Sequence, residues 1–270
     1  GSPMTDLKEI ARQVRILTLK SIAQAGSGHP GSCLSCTDIM VQIFFKTLNP
    51  QPYNWSDHHR DIFILSKGHG CVALYSIFHL LGILTLDQLM ALRKGDSGPA
   101  QGHPSYPHLS QVETSSGSLG IAASVSVGMA LGRKQTGNPG RIYCLIGEGD
   151  LNEGITVEAA RIASHYQLDN LCFIFDLNQK MSDGYSKIMV NPRREFDAFN
   201  WHVKLVDGHN FDQIRLGFRS AWDCRGYPTV IIAQTIKGKG ITSYESDPSG
   251  GHGSLSISDE ELQGFLKELE

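Results

Sequence analysis

The stretch from Cys144 to Gly184, CLIGEGDLNEGITVEAARIASHYQLDNLCFIFDLNQKMSDG, constrains the fold more than any other part of the chain. Ile142 to Ile146 is a short apolar run that breaks at Gly147-Glu148-Gly149, and Leu171 to Phe175 is a second such run. Between them Ile155, Ala159, Ile162 and Ala163 recur at helical spacing. Two apolar strands joined through a helix form a βαβ unit, which predicts an α/β fold with parallel pairing. Ligands of such sheets sit outside the carboxyl ends of the strands. The polar turns around Glu148 and Asn178 both fall at that edge.

The residues of these turns suit a metal-bound diphosphate. Gly147 and Gly149 allow close backbone approach, and a helix beginning near Asn152 would turn free N–H groups toward an anion. Glu148 offers a carboxylate and Asn178 an amide oxygen, both hard ligands for Mg²⁺ or Ca²⁺. The third glycine of a dinucleotide fingerprint is missing, and no Gly-Lys-Ser/Thr makes a P-loop. On these residues alone, the anion-plus-metal site stays open beside the blander reading of a dinucleotide fold.

The stretch resembles the thiamine-diphosphate motif, which in most members opens Gly-Asp-Gly and closes on an Asn. Glu153-Gly154 and Asp183-Gly184 are similar to transketolases in particular. Further motifs follow in that family's order: Ser27-Gly28-His29-Pro30-Gly31, Ser66-Lys67-Gly68-His69, Gly102-His103-Pro104, Ser116-Gly117-Ser118-Leu119-Gly120, Thr235 to Gly240 and Gly251-His252-Gly253. The resemblance implies a thiamine-diphosphate-binding fold, a central, mostly parallel sheet with helices on both faces. It places His29 near the substrate, His69 and His252 beside the diphosphate, and His103 as another active-site histidine. It assigns the cofactor to Gly117, Ser118, Leu119, Gly147, Gly149, Asn178 and Lys237, together with His69 and His252. The metal goes to Glu148, Asn178 and Lys180, and a subunit contact to Glu153. Two departures stand out. Glu148 replaces the family's Asp, so either the turn shifts or metal affinity falls. Ile121-Ala122 replaces Gln-Gly, which either alters the pocket or repacks a helix start.

Elsewhere the bland readings compete. A glycine-rich turn after a helix is ordinarily a stop signal, and a histidine in a turn is ordinarily surface decoration. Cys33 and Cys36 form C-x-x-C without the second ligand pair that zinc requires, so buried thiols are expected. His209 reads as structural. The net charge of −3 is spread over interspersed acids and bases, which offers no face for nucleic acid. No apolar run reaches membrane-spanning length and no signal peptide precedes Leu7, so a cytoplasmic protein is expected.

Amphipathic or buried helices are predicted over Leu7 to Ala25, Asp38 to Leu48, Cys71 to Leu81, Thr85 to about Arg93, Gly120 to Leu131, Phe211 to Trp222 and Ser256 to Glu270. Strands are predicted at Asp61 to Leu65, His202 to Val206 and Thr229 to Ala233. Gly1-Ser2-Pro3 reads as a cloning scar and residues 4–270 as a single domain. Since no stretch is left over for the family's pyrimidine-binding domain, the resemblance implies a partner chain carrying it, in a heterotetramer of two copies of each. The implied activity is transfer of a two-carbon ketol unit from a ketose, phosphorylated or not, to an aldose. The alternatives are a subunit of a thiamine-dependent 2-oxo-acid dehydrogenase, a transketolase-like protein of a specialised pathway and a non-catalytic relic.

Overall fold

The computed structural model describes residues 6–181, 184–185, 191–251, 253 and 255–270. Asp183 and His252 lie outside the described residues. Five strands, β1 (Ile62–Leu65), β2 (Ile142–Gly147), β3 (Leu171–Leu177), β6 (His202–Asp207) and β7 (Thr229–Gln234), build one sheet in the order β1-β2-β3-β7-β6. Every pairing in it is parallel. Two residues each of β4 (Lys180–Met181) and β5 (Gly184–Tyr185) pair antiparallel beside it.

Strand order and handedness decide which helices cover which face. The chain steps one way from β1 to β3, then returns from β6 to β7, and right-handed crossovers put the helices that lead into β2, β3 and β6 on one face and the helix that leads into β7 on the other. One face packs Ile64, Ile142, Cys144, Ile146, Phe173 and Phe175 against α5 (Ile121–Thr136), α7 (Gly154–His165) and α8 (Pro192–Ala198). The other packs Phe63, Leu65, Tyr143, Leu145 and Ile174 against α1 (Leu7–Ala25), α2 (Pro30–Gln42), α3 (Cys71–Leu80) and α9 (Phe211–Asp223). Alternate residues of β1, β2, β3 and β7 thus serve alternate cores, so these four read as continuous apolar runs, while the edge strand β6 is largely exposed. The remaining helices, α4 (Leu86–Met90), α6 (Glu148–Leu151), α10 (Thr242–Ser246) and α11 (Asp259–Glu268), are peripheral or short.

The expected βαβ unit forms, with Ile142 opposite Leu171 and Gly147 opposite Asp176. Three local expectations are corrected. The helix predicted from Asp38 begins at Pro30, because proline suits the first helical turn, and continues into a π-helical turn over Ile43–Thr47. The helix expected to begin near Asn152 opens at Gly154 as α7, and a separate short helix, α6, precedes it from Glu148, with Asn152 and Glu153 as the break between them. Within α7 the buried residues are Thr156, Ala159, Ala160 and Ala163, whereas Ile155 and Ile162 face outward. The small buried residues let α7 pack closely on α5.

Thr85 with Gln88 and Ser258 with Glu261 both form capping boxes, which fix the starts of α4 and α11. All six cysteines are free, and five of them, including Cys33 and Cys36, are buried. Burial pushes the Cys36 thiol up to about 12, which leaves it unreactive.

Candidate functional site

The carboxyl ends of β2 and β3 open into a cleft lined by Lys67, His69, Leu119, Glu148, Asn178 and Lys237, with Ser32, Gly147, Gly149, Asp150 and Lys180 completing it. Its floor is a buried ion pair. Asp176, in the otherwise apolar β3, accepts from Lys67 Nζ at 2.5 Å and Ser35 Oγ at 2.7 Å, and also from Thr235 Oγ1. Burial disfavours both charges, yet the pairing wins: Lys67 is held above its ordinary pKa and Asp176 below. The pair was missed in the sequence, although an aspartate that directly follows the apolar run Leu171 to Phe175 needs a partner once buried.

The two acids of the glycine turn have different tasks. Asp150 is fully buried and accepts from Ser66 Oγ and Gly120 N at Oδ1, both at 2.8 Å, and from Gly147 N at Oδ2, at 2.9 Å. It therefore braces the turn after β1, the start of α5 and the end of β2. Glu148 reaches the facing turn, where its Oε1 accepts from Gln179 N at 2.6 Å. A Cβ on Gly149 would meet Leu119 Cδ1 at 2.7 Å, so a side chain there would displace the end of Leu119.

An oxygen donor set stands at this place. Glu148 contributes its carboxylate and Asn178 its amide oxygen, which also accepts from Lys180 N at 3.0 Å. The Lys180 ammonium is turned away to the carbonyls of Glu245 and Asp247, at 3.1 and 2.8 Å. That leaves the Lys180 carbonyl as its only means of ligating a cation. Hard oxygens of this kind fit Mg²⁺ or Ca²⁺. No group of three or more His, Cys, Asp or Glu side chains suited to a metal occurs among the described residues. Lys237, buried beside this set, fits an anion. Burial and the nearby Lys67 lower its pKa to about 8. Lys239 instead lies at the surface beside Glu245, so only the first lysine of that glycine-rich loop faces the cleft. The anion-binding helix terminus expected near Asn152 is not there, because α7 opens at the exposed Gly154 and the N–H of Gly147 is already taken.

Three histidines from separate motifs converge at the mouth. The His29 ring lies 5.8 Å from that of His69, edge-on, and 6.2 Å from that of His103. His69 also lines the cleft, which joins the imidazole cluster to the oxygen donors. Gly117 backs the His103 ring, Leu119 lines the cleft, and Ser118 is exposed beside them. Partial burial and Arg93 lower the pKa of His103, keeping its ring neutral near pH 7. Arg93 was missed in the sequence, because nothing in its surroundings marks it. Glu153 is exposed in the single chain. His209 is structural, as expected: Nδ1 pairs with Asp38 at 2.7 Å and Nε2 accepts from Ile236 N at 2.9 Å, which anchors the loop carrying Lys237.

A parallel sheet covered on both faces, with a polar cleft at its carboxyl edge, defines the class: an α/β ligand-binding domain. The chain belongs to the transketolase family, since residues 7–268 match the family described as "Transketolase, thiamine diphosphate binding domain". It is 38% identical to human transketolase over 251 residues, which span 92% of this chain and 39% of that protein. It is 35% identical over 270 residues to the 6-deoxy-6-sulfo-D-fructose transketolase subunit SqwG of Clostridium sp. (strain MSTE9), covering 98% of this chain and 96% of that subunit. Among solved structures, Campylobacter jejuni transketolase superposes with a TM-score of 0.89 at 32% identity, over 99% of this chain and 43% of that one. The chain thus spans less than half the length of these two transketolases and nearly all of the SqwG subunit.

Proposed function

We propose that this chain is the diphosphate-binding subunit of a cytoplasmic, thiamine-diphosphate-dependent transketolase that moves a two-carbon ketol unit from a ketose to an aldose. The observation that carries the reading is the meeting of His29, His69 and His103 beside the cleft of Glu148, Asn178 and Lys237. Thiamine diphosphate, when bound, supplies the nucleophilic carbon and the electron sink for breaking the bond beside the ketose carbonyl. Lys237 would hold the diphosphate, with Mg²⁺ or Ca²⁺ on Glu148, Asn178 and the Lys180 carbonyl. Gly117, Ser118, Leu119, Gly147 and Gly149 would line the cofactor. The histidines, with His252 added from the sequence motif, would bind sugar hydroxyls and carry protons near neutral pH. Such a histidine cluster disfavours the 2-oxo-acid dehydrogenase alternative.

The pyrimidine side of the cofactor would come from a partner chain. Support comes from the near end-to-end match to a relative that is itself named a subunit. The same relative suggests a specialised donor, so 6-deoxy-6-sulfo-D-fructose belongs in the assay beside fructose 6-phosphate.

The test is calorimetric binding of thiamine diphosphate with and without Mg²⁺, on this chain alone and mixed with the partner, followed by donor–acceptor assays of the mixture. Mg²⁺-dependent binding in the mixture, with ketol transfer from one of the two donors, is expected. Failure of the mixture to bind the cofactor defeats the reading. His69→Ala should cut turnover by about 10²-fold or more at unchanged thermal stability. A variant that mainly melts earlier would make His69 structural instead.

A further inference from the structure

Arg93 touches two of the three converging segments and belongs to none of the motifs. It follows α4 in a left-handed backbone conformation, φ 59°, uncommon for a residue with a Cβ. Its own N–H donates to Ala100 O at 3.0 Å, which pins the turn. From there the guanidinium donates to Ser27 Oγ at 3.0 Å through Nη1, and Nη2 lies 3.4 Å from His29 Nδ1. Its Nε also packs where a side chain on Gly102 would begin, immediately before His103. Unusual backbone held by surrounding structure at a cluster of polar side chains is a pointer to function.

The chemistry of this contact has one solution. A guanidinium carries five donors and no acceptor, so the imidazole nitrogen facing it must accept. With Nδ1 accepting, the ring proton of a neutral His29 sits on Nε2, because the bond made by one ring nitrogen sets the state of the other. We propose that Arg93 is the positioning residue that fixes His29 as the neutral Nε2–H tautomer, presenting a hydrogen-bond donor to a sugar oxygen of the substrate. The role of the donor rests on the ketol-transfer reading; the tautomer does not. Arg93 acts through His29 and touches no reacting atom.

The experiment has two arms. In the first, the full-length chain labelled with ¹⁵N-histidine is studied by long-range ¹H–¹⁵N correlation, with the His29 signals assigned by their loss in His29→Gln. The wild type should show a pyridine-like Nδ1 and a pyrrole-like Nε2. Arg93→Leu should give an averaged tautomer mixture, and Arg93→Lys, which keeps a cationic donor, should retain the wild-type pattern. A proton on Nδ1 in the wild type overturns the proposal even if Arg93→Leu does not fold, as does an unchanged pattern in a folded Arg93→Leu. In the second, the assembled enzyme carrying Arg93→Leu should lose about 10²-fold in kcat with little change in KM, and Arg93→Lys should recover much of it. Wild-type kcat in Arg93→Leu overturns the positioning role. If the wild-type assembly transfers no ketol unit, the functional reading fails and the tautomer arm alone decides.

Discussion

At the residue scale, one methylene separates the two acids of the glycine turn, and the structure gives each a different load. Asp150 is short and buried, and its three donors come from three segments. Truncating it would leave two backbone N–H groups and a hydroxyl without their acceptor, each costing roughly 1–3 kcal/mol where burial persists. Asp150→Ala is therefore expected to lower stability by several times about 1 kcal/mol in urea unfolding of the chain. A change below about 1 kcal/mol would show that water replaces the brace. Glu148 is longer, crosses to Gln179 and keeps its carboxylate on the cleft. Glu148→Gln retains an acceptor for the Gln179 amide but loses the charge that a divalent cation needs. Its melting temperature should match the wild type, while Mg²⁺-dependent cofactor binding by the assembled pair weakens at least about tenfold. Unweakened binding would take Glu148 out of the metal set. If Glu148→Asp binds more tightly than the wild type, the extra methylene is a cost to the metal rather than an adaptation of the turn.

At the element scale, two buried charge clusters tie α2 to the sheet and to the loop after β7. In the first, Asp38 of α2 accepts both Arg15 terminal nitrogens at 2.9 Å and pairs with His209. Burial alone would raise its pKa, but Arg15 and His209 together lower it from 3.8 to about 2. An acid with a depressed folded-state pKa contributes stability above its ordinary value and loses it as pH falls through the folded one. Stability should therefore drop between pH 3.8 and about 2, and Asp38→Asn should flatten that part of the profile. An equally steep acid limb in Asp38→Asn would assign the drop to other carboxylates. In the second cluster, Asp176→Ala strands the buried Lys67 ammonium and should cost about 3–5 kcal/mol in urea unfolding. Lys67→Met with Asp176→Leu should recover much of that loss, and no recovery would mean that packing, not charge, made the site. These clusters also mark where sequence reading stops. β1, β2, β3 and β7 were legible because both faces of the sheet are covered there, which turns each into an apolar run. The order β1-β2-β3-β7-β6 was not, since no local pattern records which strand lies beside which. The short helix α6 was not legible, since the periodic residues Ile155, Ala159, Ile162 and Ala163 all lie after the break at Asn152 and Glu153. His29, His69 and His103 were legible as motifs, but their convergence depends on three loops meeting. The Arg93 contact depends on a left-handed turn that no motif in the sequence marks.

At the scale of the whole molecule, the outer face of α5 and α7 is more apolar than a solvated surface needs. Ile121, Ile155, Ile162 and Tyr166 are 46%, 41%, 47% and 47% exposed, on helices whose small residues pack inward. At the end nearest the cleft, Gly120 leaves room for Ile155 and Thr156, and a Cβ there would meet Ile155 Cγ2 at 2.7 Å. The exposed Glu153 stands at the same end, where the sequence resemblance expects a subunit contact. Leu205 and Leu216 are also exposed, on β6 and α9 at the far edge of the sheet, and so supply an internal control. A partner that completes the cofactor site must approach the carboxyl edge of β2 and β3, which favours the α5–α7 face over the β6 edge. A charge in the centre of an apolar contact is costly to desolvate and has nothing to pair with. Ile155→Glu with Ile162→Glu should leave the melting temperature of the chain alone unchanged, because both side chains are exposed in it. The same pair should abolish co-elution with the partner in size-exclusion chromatography with light scattering. Leu216→Glu should leave the complex intact. If Leu216→Glu breaks the assembly and the isoleucine pair does not, the partner docks at the far edge, and a cofactor shared between the chains at this cleft is ruled out with it.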